Sequence, residues 1–436
     1  MENILDELKW RGLIAQSTDE AALREAFDKG QVTYYTGFDP TAASLHVGHL
    51  VQVITMRRLQ QAGHRPIVLV GGATGLIGDP RETTERSMND KDVVAGWVEK
   101  IKGQLSPFFT TDGENSAIFV NNLDWTGEIS AIELLRDIGK HFRLGTMLSK
   151  DIVARRLASD EGISFTEFSY QLLQGNDFRE LLHRYNCTLQ CAGNDQWGNI
   201  VAGIDLIRKT DGTSVHGLTT KLITKSDGTK MGKSEGGAVW LDPTMFSPYA
   251  FYQYWLNTAD DDVIHYLKVF TFRTKEEIEE LENEVKTNPG ARAAQRALAG
   301  DLTTLVHGQA ATDGAIAAAK AIFGGGDLAG LDAPTLAGVA AELPNAEAQV
   351  GDSIINAAVA IGLVKSKSEA RRAIQEGGLY LNNNKVTDAE ATLTDSDFLA
   401  NKYAILRRGK KTLGVAIQCS EVGLSQPGGW GELGSQ

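Results

Sequence analysis

Three cysteines, ten prolines and no long apolar run leave this 436-residue chain little with which to build a disulfide scaffold, a polyproline rod or a membrane span. Cys187, Cys191 and Cys419 are too few for a disulfide framework. No stretch approaches the roughly 18 consecutive apolar residues of a bilayer-crossing helix. The opening MENILDELKW is acidic and amphipathic, without the basic and then apolar layout of a secretory signal. These absences predict a soluble, cytoplasmic protein with no membrane partner. Positive charge is also in short supply: 43 Lys and Arg stand against 56 Asp and Glu, a net charge of −13. That excludes coating nucleic acid by bulk attraction but leaves room for a local basic patch. Such a region exists: residues 351–416 hold ten basic and seven acidic residues.

The composition, 42% hydrophobic and 23% charged, suits ordinary packed cores. At roughly 150 residues per domain the length suggests about three domains. Residues 1–240 alternate short β-rich runs with helical patterns, predicting an α/β domain with a Rossmann-like parallel sheet. Gln31–Gly37 reads as a strand, Val47–Ala62 as an amphipathic helix closed by Gly63, and Ile67–Val70 as a buried parallel strand. Residues 245–322 are helical in pattern, with a capping box at Thr274 and Glu277. Residues 323–350, dominated by Gly, Ala, Asp and Pro, read as a linker. In 351–416, two helical runs, Gly377-Gly378 and the hairpin LYLNNNKV predict a small α+β domain. The Gly- and Ser-rich 417–436 reads as a flexible tail.

The run G37-F38-D39-P40-T41-A42-A43-S44-L45-H46-V47-G48-H49 falls between the first parallel strand and the first long helix. Open α/β folds bind nucleotides there, because backbone N–H groups converge on anions. His46 and His49, three apart, project from one face, and imidazole N–H groups can stabilise charge on a reacting triphosphate. Gly48 between them leaves backbone bare for a ribose or ring. A second run, K225-S-D-G-T-K-M-G-K-S-E235, presents Lys230, Lys233 and Ser234 on a glycine-flanked loop able to close over pyrophosphate. HVGH, followed about 180 residues later by KMGKS, resembles the HIGH and KMSKS signatures of class I aminoacyl-tRNA synthetases. Gly232 replaces that motif's first serine.

Ile163–Phe178 begins with Ser164 and Glu167 as a capping box. At 100° per residue, Tyr170, Gln174 and Asp177 share one face, while Phe165, Phe168 and Leu172 lie opposite. With G-F-D-P, G-A-T-G-L-I-G-D-P (72–80), F-T-E-F-S-Y (165–170) and N-D-Q-W-G-N (194–199), the chain resembles the bacterial tyrosyl-tRNA synthetase family from residue 1 to about 416. The resemblance implies a tyrosine–tRNA ligase that makes tyrosyl-adenylate from L-tyrosine and ATP with Mg2+, then charges tRNA(Tyr). Tyr35 and Asp177 would meet the substrate phenol, and Asp79, Tyr170 and Gln174 its ammonium group. Gly37, Asp39, Thr41, His46, Gly48 and His49 would line the ATP site. Gly193, Asp195 and Gln196 would hold the ribose and carboxyl region, and Lys230, Lys233 and Ser234 the pyrophosphate.

One departure follows Asp79-Pro80. The family carries a lysine and then an arginine on a mobile loop there, whereas this chain reads R81-E82-T83-T84-E85-R86. Arg86 matches the arginine, and Arg81 is the candidate replacement for the lysine. The resemblance also implies a homodimer, an anticodon-recognising helical region and an S4-like RNA-binding end. On that end the basic patch consists of Lys365, Lys367, Arg371, Arg372, Lys385, Arg407, Arg408, Lys410 and Lys411. His183, Cys187 and Cys191 recur every four residues, but three ligands without a fourth do not make a zinc site, so no protein-bound metal is expected. Two alternatives stand beside this reading: a tryptophanyl-type synthetase, and a non-catalytic RNA-binding protein on a synthetase scaffold.

Overall fold

The computed structural model describes residues 3–81, 84–229, 231–234, 237–323, 326–410 and 412–419. Lys230 and Lys411 of the expected sites lie outside the described residues. The chain forms two compact units, residues 1–246 with 254–306 and residues 247–253 with 307–436.

The first unit is built on a six-stranded sheet. Its strands are β1 (Ile14–Ser17), β2 (Thr33–Phe38), β3 (Arg65–Val70), β4 (Ile118–Asn121), β5 (Leu189–Gly193) and β6 (His216–Thr220), ordered β1-β6-β5-β2-β3-β4. Only the β1–β6 pair is antiparallel. The β-branched and aromatic runs TYYTGF and RPIVLV form the centre, where Ile67, Leu69, Phe178, Leu181 and Ile207 pack into one core. After β2 the chain moves to β3 and β4 on one side, then crosses to β5 and β6 on the other. The carboxyl ends of β2 and β5 therefore diverge at a topological switch point, the place where open parallel sheets hold ligands.

The expected first helix is split. Val47–His49 forms a 3-10 turn, and α1 (Leu50–Gln61) follows it. The long helix α2 (Phe165–Tyr185) packs along α3 (Trp197–Asp211) beside the sheet. Ser164 caps α2 by accepting from the Glu167 N–H at 3.2 Å. The reciprocal half of the predicted capping box is replaced. The Glu167 carboxylate instead pairs with the Arg156 guanidinium at 2.8 Å, with both side chains buried.

The strands β7 (Lys233–Ser234) and β8 (Gly237–Ala238) form a short antiparallel hairpin after β6. The helical stretch comprises Pro248–Leu256, Asp260–Phe270, Lys275–Thr287, Ala293–His307 and Gln309–Ala321. Thr274 and Glu277 make the reciprocal cap that the sequence predicts.

The second unit carries a five-stranded sheet. Its strands β9 (Asn345–Ala348), β10 (Leu379–Leu381), β11 (Asn384–Lys385), β12 (Tyr403–Arg408) and β13 (Thr412–Gln418) are ordered β11-β10-β12-β13-β9. The stretch 323–350 is thus not simply a linker. It contains a helix, Ala333–Glu342, capped by Asp332 with a proline in its first turn, and β9, which pairs parallel with β13. Small residues give this helix weak periodicity, which is why its composition resembles a linker. The hairpin in LYLNNNKV forms, with Asn382 and Asn383 both at positive φ as a type I′ turn demands. The first two residues of the expected tail, Ile417 and Gln418, complete β13. Among the described residues no helix is long and apolar enough to cross a membrane.

Candidate active site

A cavity of about 380 Å³ opens at the carboxyl ends of β2 and β5. β2 and the turn after it contribute Tyr35, Gly37, Asp39 and Thr41; β5 and the turn after it contribute Gly193, Asp195 and Gln196. α2 supplies Tyr170, Gln174 and Asp177, the face that helical periodicity selects. Gly48, His49, Asp79 and Arg86 also line the wall, as does Met231 of the KMGKS run. Fourteen of the predicted site residues therefore share one cavity. His46 lies beside it, its ring centroid 4.1 Å from that of His49. Arg81 is exposed and is not part of the wall.

The opposite face of α2 departs from expectation. Phe165 is 75% exposed, and Phe168 and Leu172 are only half-buried, so the apolar side of this helix is not turned into the core. The buried side carries Tyr170 and Asp177 together with Phe178 and Leu181, which pack into the sheet core.

The cavity floor is acidic, and its carboxylates are buried. The Asp177 carboxylate accepts from Trp125 Nε1 at 2.8 Å and from Asn122 Nδ2 at 3.0 Å. Burial nevertheless pushes its carboxyl up to about 7. Asp39 accepts from the Thr74 and Tyr170 hydroxyls, each at 2.6 Å, and burial pushes it to about 6. Asp79 is raised by burial, against hydrogen bonds from Gln196 and Asn199. These carboxylates also raise one another, so the site favours a guest carrying a positive donor. The Tyr35 hydroxyl and the Gln190 carboxamide oxygen are buried in this wall with no hydrogen-bond partner among the described residues. Burial first, and then the nearby Asp177, hold the Tyr35 phenol well above its usual range.

At the other end the two histidines cap the turn that starts α1. The Gly48 N–H donates to His46 Nδ1, and the His46 N–H donates to His49 Nδ1, each at 3.1 Å. A ring nitrogen that accepts carries no proton, so the neutral His46 imidazole bears its hydrogen on Nε2, whereas His49 Nδ1 faces both the His46 N–H and, at 3.3 Å, the His46 carbonyl. Burial lowers His46, and burial with His46 as neighbour takes His49 to about 3. Both are neutral donors at pH 7, so positive charge here must come from elsewhere. A Cβ on Gly48 would lie 2.7 Å from His46 Cε1, so glycine is required for the His46 ring to fold over the turn. That adds a local reason to the bare backbone argued from sequence.

The KMGKS run rests on this turn. Val239 donates to the Gly232 carbonyl at 3.1 Å, and Val47 donates to the Val239 carbonyl at 2.9 Å. A Cβ on Gly232 would meet the Gly48 nitrogen at 3.5 Å, so the two signatures are neighbours in space.

Asn122, Trp125, Thr74 and Asn199 hold the site but escaped the sequence reading. Asn199 closes the N-D-Q-W-G-N run already singled out. Asn122 and Trp125 follow the end of β4, where ligand-binding loops of such sheets arise, and that position is the signal they offer. The HxxxCxxxC spacing resolves differently. His183 Nε2 sits 2.6 Å from Asp211, Cys187 and Cys191 are buried, and burial pushes the Cys191 thiol to about 12.

In the second unit, Lys365, Lys367, Arg371, Arg372, Lys385 and Lys410 are exposed. Arg407 instead stacks 4.0 Å from the Tyr380 ring centroid, and Arg408 pairs with Glu369 at 2.8 Å.

Fold and cavity together define a class I aminoacyl-tRNA synthetase: the family described as tRNA synthetases class I (W and Y) matches residues 28–324. Residues 336–415 match the Tyrosine--tRNA ligase SYY-like C-terminal domain, which starts inside the stretch expected as linker. The chain is 60% identical over 414 residues to the Tyrosine--tRNA ligase of Streptomyces coelicolor, covering 95% of this chain and 98% of that protein. Identity to the Streptomyces griseus Tyrosine--tRNA ligase is 59% over 424 residues, covering 97% of this chain and 100% of that protein. The solved C-terminally truncated mitochondrial tyrosyl-tRNA synthetase of Coccidioides posadasii is 33% identical with a TM-score of 0.64, covering 72% of this chain and 91% of that one. The chain belongs to the bacterial-type tyrosine–tRNA ligase family, and neither the tryptophanyl nor the non-catalytic alternative is favoured.

Proposed function

We propose that this cavity joins L-tyrosine to ATP and that the enzyme passes the tyrosyl group to tRNA(Tyr). The observation that carries the tyrosine assignment is the unpartnered Tyr35 hydroxyl in the same wall as Asp177. A substrate phenol donates its O–H to Asp177 and accepts from Tyr35; phenylalanine leaves the buried Tyr35 hydroxyl unpaired and takes one donor from Asp177, which keeps Trp125 and Asn122. The ammonium group donates to Asp79, Tyr170 and Gln174. Because Tyr170 already gives its hydrogen to Asp39, its oxygen is left to accept.

With the amino acid held, one tyrosine carboxylate oxygen attacks the α-phosphorus. The bond from that phosphorus to the β-bridging oxygen breaks, and pyrophosphate carries away the electron pair. A ribose hydroxyl at the 3′ end of tRNA then attacks the carbonyl carbon of the adenylate, and AMP leaves. No side-chain nucleophile is needed; positioning and charge stabilisation do the work. Gly37, Asp39, Thr41, Gly48 and the two histidines form the ATP end. Gly193, Asp195 and Gln196 serve the ribose and carboxyl region. Lys230, Lys233 and Arg86 supply the positive charge that the neutral histidines lack, Ser234 adds a hydroxyl, and magnesium enters with ATP as part of the substrate. Arg81 stands in for the missing loop lysine; unchanged activation rates in Arg81→Ala would remove it.

Residues 1–240 act as the catalytic region, 245–322 as the anticodon-recognising helical region, and 351–416 as an S4-like RNA-binding module. The exposed cations of that module bind tRNA phosphates and fix position rather than read bases. The enzyme works as a cytoplasmic homodimer. Ile132, Leu135, Leu144 and Phe165 support this, as large apolar side chains more than half exposed on the first unit. Sedimentation at micromolar concentration should give twice the chain mass.

The deciding assay is amino-acid-dependent ATP–pyrophosphate exchange on the purified protein. Tyrosine should drive it, with tryptophan and phenylalanine at background. His46→Ala, His49→Ala and Lys233→Ala should slow exchange while leaving tyrosine affinity within about threefold. Exchange driven equally by tryptophan would refute the substrate assignment.

A further inference from the structure

Two of the three groups proposed to receive the substrate ammonium, Asp79 and Gln174, converge on a residue that the reaction scheme leaves without a role. Asn199, 9% exposed in the first turn of α3, donates from Nδ2 to Gln174 Oε1 at 3.0 Å and to Gln196 Oε1 at 3.0 Å. Asp79 Oδ1 lies 3.4 Å from the same nitrogen. Its other carboxamide atom, Oδ1, accepts from Lys150 Nζ at 2.9 Å. Lys150 reaches it across Gly198, where a Cβ would lie 3.2 Å from the lysine Cε.

The arrangement has a direction. An asparagine carboxamide can turn over, exchanging two donors for an acceptor. With the ammonium of Lys150 against Oδ1, only one orientation satisfies both sides, and it aims Nδ2 at three acceptors. Turned over, the oxygen would face Gln174 Oε1, Gln196 Oε1 and a buried carboxylate, all of them acceptors. Lys150 thus keeps Asn199 in the orientation that holds Gln174 and Gln196.

We propose that Asn199, oriented by Lys150, is a positioning residue that holds the ammonium-receiving groups and so makes the site selective for an α-amino acid over the same phenol lacking the amine. This inference rests on the tyrosine reading of the cavity. Gln196 ties the hub to the carboxyl region as well, since its Nε2 donates to Asp79 at 2.8 Å and to Asp195 at 3.0 Å. Burial lowers the Lys150 ammonium to about 8, and the neighbouring Asp79 opposes that shift.

The test is calorimetric binding of L-tyrosine and of 3-(4-hydroxyphenyl)propionate, the same molecule without its amine. The full-length protein is compared with Asn199→Ala, Lys150→Met and Asp79→Asn. Asn199→Ala should weaken L-tyrosine about tenfold to a hundredfold, the scale of a lost hydrogen bond to a charged network, and the propionate by less than about threefold. Lys150→Met should shift the same preference by about threefold to tenfold, and it covers the case in which Asn199→Ala does not fold. In exchange assays the Asn199→Ala loss should fall on the tyrosine KM more than on kcat. Equal weakening of both ligands would mark Asn199 as structural support only and overturn the inference. So would a retained preference in Asn199→Ala and Lys150→Met while Asp79→Asn loses it. A wild-type protein without any preference for the amine fails the tyrosine reading itself, and the inference with it.

Discussion

Removing the Glu167 carboxylate should cost this protein far more than an ordinary surface ion pair would. Arg156 and Glu167 meet at 2.8 Å with side chains 1% and 2% exposed. The guanidinium spends its other donors on backbone: Nε on the Gly162 carbonyl at 2.8 Å, and Nη1 on the carbonyls of Arg81 at 3.0 Å and Thr84 at 2.9 Å. The second oxygen of Glu167 accepts from the Arg86 N–H at 3.1 Å. One buried pair therefore fastens residues 81, 84 and 86, the stretch that brings Arg86 into the cavity wall. Glu167→Ala strands a buried cation, and loss of one partner from such a pair costs about 3–5 kcal/mol. The double variant Arg156→Met with Glu167→Leu replaces both charges by apolar groups, a change that is often close to neutral for stability. It should recover most of the lost stability but not the fastening of residues 81, 84 and 86. Urea unfolding should then separate the single from the double variant, while pyrophosphate exchange should show a raised ATP KM in both. A Glu167→Ala protein within about 1 kcal/mol of wild type would refute the energetic argument. A double variant with an unchanged ATP KM would refute the positioning argument.

Four further outcomes follow from the same geometry. Asp177→Asn and Tyr35→Phe should each cut the preference for tyrosine over phenylalanine in exchange assays by about tenfold to a hundredfold, since each removes one buried phenol partner; an unaltered ratio would exclude that residue from the phenol site. Tyrosine affinity should fall as pH drops below about 7, because protonating Asp177 and Asp39 removes acceptors, whereas His49, near 3, does not titrate there. Stability without substrate runs the other way. The folded pKa values lie above the unfolded value of 3.8, so this contribution is complete below about pH 4 and lost as pH rises through 7; binding and unfolding curves of the same sign would contradict it. Replacing Lys365, Arg371 and Arg372 by Gln should weaken tRNA binding and flatten its salt dependence while leaving exchange intact; an unchanged salt slope would move the RNA surface elsewhere.

What the sequence discloses, and what it hides, follows from the distance over which each residue acts. The spacing of Tyr170, Gln174 and Asp177 is a local property of one helix, and all three do line the cavity. Which side of that helix meets the core is not local. The side of Phe165, Phe168 and Leu172 is the more exposed one because the opposite side meets the cavity through Tyr170 and Asp177 and the core through Phe178 and Leu181. Asn122 and Trp125 act on Asp177 across more than 50 residues, joined to it only by the end of β4, so no window of sequence contains the pair. The capping box at Ser164 has the right letters, yet Glu167 is drawn away because a buried arginine outbids a backbone N–H that solvent can satisfy. Gly232 runs the opposite way, a departure on paper that the structure explains. Its φ is +104°, a conformation that a serine would adopt only under strain, and its carbonyl accepts from Val239, which in turn anchors the histidine turn. Glycine in place of the motif's serine is therefore what lets this loop reach the turn without distorting it. The two lysines that the motif exists to carry are retained on either side.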